Sequence, residues 1–350
     1  MIEQSSGLEC AWLEARLRGF EQECILRIRR GAHWCEASNR DAPEQLPSEP
    51  RSRAFRTASV TKTFTATLIL LLCEQGRLAL DDRLEQYIAA DLCDALHCLD
   101  GLHAGRSITL LQLLNHRSGL HDYATDADFI AAVNACPERR WSARDLLDAA
   151  MRRAPDFAPG AGLAYNDTGY VLLGLIIEAV TGMALAGAYR ALLLDPLGLR
   201  HTYLEGKEKA SGPALSKAFA EEQDSSGFDP SFDAFGGGGL VSTAGDLDRF
   251  ISALLQGKIF SNPATLASML TGTAAAAGSG TRKTLTACGI SEFSVAGQRL
   301  WGHLGHWNSF MLYAPEADLA LCGSFNQSRS EPAQVAMLET AVRAALAWPD

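Results

Sequence analysis

The chain has 350 residues, 47% of them apolar, and a formal net charge of -10. That is enough apolar material for a sizeable core, in one large domain or two lobes. The acidic balance argues against a nucleic-acid or anionic-membrane surface, because neutralising phosphates needs a concentrated basic face.

The opening Met1-Ile-Glu-Gln-Ser-Ser-Gly has no basic stretch ahead of an apolar core, so no secretory leader is expected. Leu8 to Phe20 carries a helical pattern, and Glu23 to Arg30 and Ala32 to Ala37 read as a β-hairpin hinged at Gly31. In its first strand Arg27 and Arg29 alternate with Ile25, Leu26 and Ile28, which predicts an exposed basic face. Ser38 to Arg53, with three prolines and many charges, reads as a surface connection.

This connection leads to Phe55-Arg-Thr-Ala-Ser-Val-Thr-Lys62, the most informative stretch of the chain. A helix beginning here places Ser59 and Lys62 on adjacent turns of one face, so they can meet. A serine hydroxyl is a poor nucleophile until a neighbouring base takes its proton. Ser59 would also sit near a helix N-terminus, where free N–H groups favour the charge that develops on an attacked carbonyl. Four residues of such common types equally describe a capping serine and a solvated lysine.

A helical middle follows, with apolar residues at three- and four-residue spacing over Thr109–Asn115, Ala143–Arg153, Gly169–Thr181 and Ala184–Leu194. Ser211 to Asp233 turns to Gly, Ser, Pro and charge, which predicts a long loop and a candidate lid. Thr243 to Leu255 reads as a helix capped by Ser242 or Thr243, and Thr271 to Gly280 as a mobile stretch. Gly289–Val295, Gln298–His303, Ser309–Tyr313 and Leu319–Ser324 read as an antiparallel meander, with a closing helix over Glu331–Trp348. The most apolar run, Leu68 to Cys73, is far short of the ~20 residues a membrane span needs. Nine scattered cysteines without a Cys-x-x-Cys pair suit a reducing cytoplasm, the expected location. Cys73 and Cys322 read as small buried hydrophobes. Cys93, His97, Cys98 and His103 lie close together, but their spacing matches no usual zinc pattern.

Taken together, several islands resemble the serine β-lactamase and penicillin-binding-protein superfamily, in particular the class C-like branch of esterases, D-amino-acid peptidases and acyltransferases. They are Phe55–Lys62, Glu74–Asp82, Ile108–Leu120, Tyr165-Asn-Asp-Thr-Gly-Tyr-Val-Leu-Leu-Gly174, Pro196–Gly198, Gly237–Asp246 and Gly302-His-Leu-Gly305. They run in order over residues 22 to 345. The resemblance implies an α/β (α+β) fold in a single domain over 1–350: an antiparallel sheet flanked by helices, a mostly helical lobe, and the active site between lobes. The sheet lobe would comprise 1–58 with 236–350, and the helical lobe 59–235.

It also implies acyl transfer through a covalent serine ester. Ser59 would be the nucleophile, with Lys62 and Tyr165 as proton-transfer partners. A free lysine stays charged at pH 7, so either its pKa is lowered or the pair works through Tyr165. Without those partners Tyr165 would read as a core aromatic. His303 falls where the family places lysine or histidine beside the active-site strand. The backbone N–H groups of Ser59 and His306 would form the oxyanion hole. One departure stands out: Asp167 occupies a position that is usually asparagine. A carboxylate can accept from Lys62 but cannot donate to a substrate carbonyl unless protonated, and it favours the charged lysine. Asp167 is therefore expected either to select a substrate with a free amine, or lacking the usual amide, or to form a structural ion pair. His116, Ser118, His121 and Asp122 are not read as a triad, since triads are set by geometry rather than adjacency.

The expected activity is hydrolysis of a small ester or amide, with a tailoring acyltransferase or a non-turnover penicillin-binding-like sensor as alternatives. A small-molecule acyl substrate is the expected partner, and neither metal nor cofactor is implied.

Overall fold

The structure, a computed structural model, describes residues 7–40, 53–274 and 282–348. Most of the predicted loop at Ser38–Arg53 and of the stretch at Thr271–Gly280 lies outside these residues.

An eight-stranded antiparallel sheet organises the fold. In spatial order its strands are Thr273–Ala274, Arg282–Thr286, Ser291–Val295, Gln298–Leu304, Ser309–Ala314, Leu319–Ser324, Ile25–Arg30 and His33–Ser38. The predicted hairpin is present, with Arg30 opposite His33 and Gly31 at φ 56 in the turn between them. A two-residue loop with a left-handed first residue matches the twist of its strands.

Period-two alternation gives the sheet two apolar faces. Leu26, Ile28, Leu300, Leu312 and Leu321 face the terminal helices Gly7–Leu17 and Pro332–Leu346. Ile25, Trp301, Met311, Tyr313 and Cys322 face the larger core, which is built on the helices Thr61–Glu74, Thr168–Thr181 and Ala244–Leu255.

This alternation corrects the reading of Arg27 and Arg29. They lie on the Ile25 face, which the Ala244–Leu255 helix covers, and both are buried. Asp248 on that helix accepts from the Nε of each at 2.9 Å. Cys322 is buried as expected, whereas Cys73 keeps partial exposure.

The Thr61–Glu74 helix is apolar nearly all round and buried along most of its length, as a central helix must be. It is fixed to the sheet side where Thr63 Oγ1 donates to the Gly289 carbonyl at 2.7 Å. Gly289 has φ 65, and a Cβ there would lie 2.4 Å from the Ala66 methyl, so only glycine permits this approach. A three-stranded sheet of Ala54–Arg56, Leu240–Thr243 and Tyr203–Leu204 delivers the chain to Ser59. Thr243 caps the Ala244–Leu255 helix by accepting from the Asp246 N–H, which decides between the two predicted caps. The 211–233 stretch is anchored, since Phe219 exchanges backbone hydrogen bonds with Asn326 and Ser328. No single helix among the described residues is long and apolar enough to cross a membrane.

Candidate active site

Ser59 lies in a single 3-10 turn, Ala58–Val60, that runs directly into the Thr61–Glu74 helix. Ala58 before it has φ 45, an uncommon conformation for a residue with a side chain. Such local strain persists where the surroundings over-determine it. Here Thr57 is tied down on both sides: its N–H donates to the Leu240 carbonyl, and its carbonyl accepts from Ser309 Oγ at 2.7 Å.

Lys62 is fully buried one turn on. Its ammonium donates to Ser59 Oγ at 2.9 Å, to the Gly237 carbonyl at 2.8 Å, and to Asp167 Oδ1 in a short ion pair. All three of its protons are thus committed. Burial alone would depress the Lys62 pKa, but the Asp167 carboxylate outweighs it and holds the ammonium above the usual lysine range. The expectation of a lowered lysine pKa therefore fails for the free protein, for the reason that Asp167 suggests in the sequence.

Asp167 stands at the start of the Thr168–Thr181 helix, yet its side chain does not cap that helix. Asn166 does the local work instead, accepting from the Gly169 N–H at 2.7 Å and donating to the Leu120 carbonyl. This frees Asp167 for Lys62. Its own N–H donates to Asp122 Oδ1 at 3.0 Å. Burial, and then the Asp167 charge, pushes the Asp122 carboxyl up to about 7. The same two causes push Asp233 up to about 6. Asp233 also lines a narrow cavity beside Ala58, together with Arg56, Phe232 and Trp307.

Tyr165 precedes this helix with 38% of its surface open to the cleft. Its ring lies 5.0 Å from the Lys62 ammonium and packs on the His116 ring at 4.5 Å. His116 is buried, and its Nδ1 accepts from the Asn166 N–H, so it forms a fixed wall behind the tyrosine. Desolvation raises the Tyr165 phenol above the usual tyrosine range, while Lys62 and Ser59 pull the other way.

On the opposite wall, His303 shares the inward face of its strand with Trp301. Its Nδ1 lies 2.6 Å from the Leu304 carbonyl and must be the donor there, because a carbonyl only accepts. Nε2 is then left as an acceptor. Burial, followed by the charges of Lys62 and Lys283, pushes the His303 pKa down to about 3, so the imidazole is neutral. In the turn beyond, Gly305 donates to the Ser309 carbonyl at 2.8 Å, and a Cβ on it would lie 2.4 Å from the Thr57 carbonyl. This close docking sets the His306 backbone beside the Ser59 turn. Its N–H meets no backbone carbonyl among the described residues, while its side chain is exposed.

Ser59, Lys62, Tyr165, Asp167 and His303 thus converge from three separate parts of the chain. Sequence reasoning passed over Lys283, whose ammonium lies 5.7 Å from the Tyr165 ring, and the raised carboxyl of Asp233, and it considered Asp122 only as a triad member. Nothing local marks these residues; each becomes notable only through its neighbours in space. The arrangement offers a held hydroxyl, a buried cation, a protonated phenol and a neutral imidazole around one opening, which is equipment for acyl transfer.

Known proteins share this family and fold. The Beta-lactamase family model matches residues 29–346. A D-stereospecific amidohydrolase from Streptomyces sp. superposes with a TM-score of 0.80 at 28% identity, covering 94% of this chain and 98% of that one. D-amino acid amidase from Ochrobactrum anthropi SV3, complexed with D-phenylalanine, shares the fold with a TM-score of 0.80 at 23% identity, over 97% and 99% of the two chains. Penicillin-binding protein 4 of Amycolatopsis lactamdurans is 33% identical over 149 residues, 42% of this chain and 35% of that protein. The chain matches 35% to 58% of the length of the curated relatives it resembles. The match over residues 29–346 and the shared fold place this chain in the beta-lactamase family.

Proposed function

We propose that this protein is a serine hydrolase that cleaves small D-aminoacyl amides or esters through an acyl-Ser59 intermediate. The observation that carries the reading is the buried Lys62, donating at once to Ser59 Oγ and to Asp167. A serine held this way, on a strained turn at a helix start, is poised rather than merely solvated.

The protonation states restrict the route. With Lys62 charged and Tyr165 protonated, neither is a free base at rest. A concerted shuttle fits both. As Ser59 Oγ bonds to the substrate carbonyl carbon, its proton passes to the Tyr165 oxygen, and the Tyr165 proton passes to the leaving nitrogen or oxygen as that bond breaks. Lys62 remains an ammonium and steadies the developing charge on both oxygens. Water then reverses the sequence, giving its proton through Tyr165 back to Ser59 and releasing the acid. The Ser59 and His306 N–H groups are assigned as donors to the carbonyl oxygen, each worth about 3 kcal/mol in such sites. His303 Nε2 accepts from Tyr165 or from the substrate. The Asp233 carboxyl in the cavity beside Ala58 favours an acyl group with a free amine, and the Streptomyces amidohydrolase at 28% identity supports a D-configured one.

Intact-protein mass spectrometry with product detection tests this, using wild type and Ser59→Ala against D-alanyl amide, a p-nitrophenyl ester and a penicillin. A Ser59-dependent adduct with continuing D-alanine release is expected. A permanent adduct without turnover would replace the hydrolase by a sensor, and absence of any adduct with the D-alanyl donor would reject the substrate class.

A further inference from the structure

The cavity beside Ala58 carries two polar groups without partners. Arg56 comes from the strand that leads to the Ser59 turn, and its Nε and Nη2 each hold one oxygen of Glu205 at 2.8 Å. Nη2 also donates to the Ser226 carbonyl, but Nη1 is buried with no partner among the described residues. The Asp233 carboxyl feels burial and the neighbouring charges, yet accepts no hydrogen bond among the described residues. A buried donor left unpaired carries its full desolvation penalty, so a ligand that supplies an acceptor is favoured there.

Consecutive glycines set this carboxyl beside the Lys62–Asp167 pair. A Cβ on Gly237 would lie 2.8 Å from Asp167 Oδ1 and 3.5 Å from the Lys62 ammonium, and the Gly237 carbonyl accepts from Lys62. A Cβ on Gly238 would lie 2.2 Å from both oxygens of Asp233, so only glycine leaves that carboxyl its place. Phe228, Phe232 and Trp307 wall the cavity, whose volume of about 20 Å³ has room for a single water-sized group. Ala58 and Trp307, which line it, adjoin Ser59 and His306, the two proposed oxyanion donors.

A group of that size has to accept from Arg56 Nη1 and donate to Asp233. A methyl does neither and an ammonium only donates, whereas a hydroxyl does both. We infer that this cavity takes a hydroxyl on the acyl group, carried on the carbon next to the one bearing the amine, so that the preferred donors are D-seryl amides and esters. This rests on the function proposed above, with Ser59 as nucleophile and the free amine on Asp233. In a seryl group the amine and the hydroxyl sit on adjacent carbons, close enough for the two oxygens of one carboxylate to accept from one each.

The test compares kcat/KM for D-seryl, D-2-aminobutyryl and D-alanyl amides at pH 8, where Asp233 is ionised, on one preparation so that the folded fraction cancels. Aminobutyryl is the match in shape, with a methyl in place of the hydroxyl. The seryl amide is expected to lead both by about tenfold or more, because an analogue lacking the hydroxyl leaves the polar groups of the site unpaired. Arg56→Lys keeps a charge for Glu205 but not the planar fork that places Nη1, and Asp233→Asn keeps the shape but not the charge. Each should cut the seryl-to-aminobutyryl ratio by about threefold or more, whereas a purely structural role lowers both substrates alike. A wild-type ratio within about twofold of unity, or the wild-type ratio kept in either variant, overturns the inference. So does an alanyl amide as good as the seryl amide, which would mean that the cavity holds only water. Calorimetric binding to Ser59→Ala separates the two claims. If wild type turns over none of the amides, the proposed function fails, while a seryl preference in binding that vanishes on adding Arg56→Lys still supports the role of the cavity. Equal affinities, or no binding, overturn that role.

Discussion

Two clusters of buried charge among the described residues are treated oppositely. Between the sheet and the Ala244–Leu255 helix, Arg27 and Arg29 clasp Asp248, Ser252 bridges Arg29 and Asp248, Asp318 takes a further proton of Arg29, and Arg27 lies 4.3 Å over Trp34. Both arginines are held more firmly charged than usual. Around Ser59 most groups are driven towards neutrality instead: Asp122 and Asp233 upward, and His116, His303 and Lys283 downward. Lys62 is the exception, secured by Asp167. A cluster whose charges satisfy one another is structural; one whose members are held short of satisfaction is prepared for a substrate.

Removing the proposed nucleophile should give the largest effect and leave the fold alone. Ser59→Ala should lower kcat/KM by ~10⁴-fold or more, because residues of such a unit act together. Its melting temperature should stay within a few degrees of wild type, since the lost hydroxyl is a partly exposed contact. Differential scanning calorimetry beside the D-alanyl assay reads both. Asp248→Ala should do the converse, leaving two buried arginines unpaired at a cost of about 3–5 kcal/mol. Urea unfolding measures that loss, and kcat of the folded fraction should change by no more than about twofold. A large fall in kcat there would erase the division between the clusters.

Gly305→Ala tests whether the sheet positions the proposed oxyanion site. The new methyl would lie 2.1 Å from Ser309 Oγ and 2.4 Å from the Thr57 carbonyl, so the turn must move. Displacing a donor by about 1 Å costs on the order of 10²-fold in rate. The loss should fall on kcat rather than KM, and steady-state kinetics on a p-nitrophenyl ester would show it.

The contrast also explains what could be read from the chain. Helix and strand periodicity located the hairpin, the meander and the long helices, because each buries one face or both. The short helices Ala90–Leu96, Ala127–Ala135 and Pro263–Met269 offer too few turns for a period to emerge. Ser59 and Lys62 were legible from spacing, Tyr165 and His303 from resemblance. Arg27 and Arg29 were misplaced because alternation gives the face of a residue but not what covers it, and Asp248 lies 221 and 219 residues away. Lys283 was missed for a similar reason: its place beside the Tyr165 ring is a property of space rather than sequence.

Asp167→Asn moves the cleft towards the neutral-lysine condition. With the carboxylate gone, burial dominates and the Lys62 pKa falls, so a free amine becomes accessible as a base for Ser59. The new amide can also donate to a substrate carbonyl. Acylation by a penicillin, followed as adduct formation, should rise by about tenfold, and D-alanyl amide turnover should drop. No gain in β-lactam acylation would leave Asp167 as a purely structural partner.

The smallest effect concerns Asp122, and its sign follows from its raised pKa. A carboxyl lifted to about 7 in the fold stays protonated where the unfolded chain has released its proton. Its contribution to stability is complete below the unfolded value near 4 and is lost as pH rises to about 7. Asp122→Asn can still accept from the Asp167 N–H but cannot ionise against Asp167. The variant should match wild type near pH 4 and exceed it at pH 8 by on the order of 1 kcal/mol, after screening by Lys62. Urea midpoints at the two pH values measure this. A variant weaker than wild type at pH 8 would mean that the Asp122 charge supports Lys62, placing it with the satisfied charges rather than the poised ones.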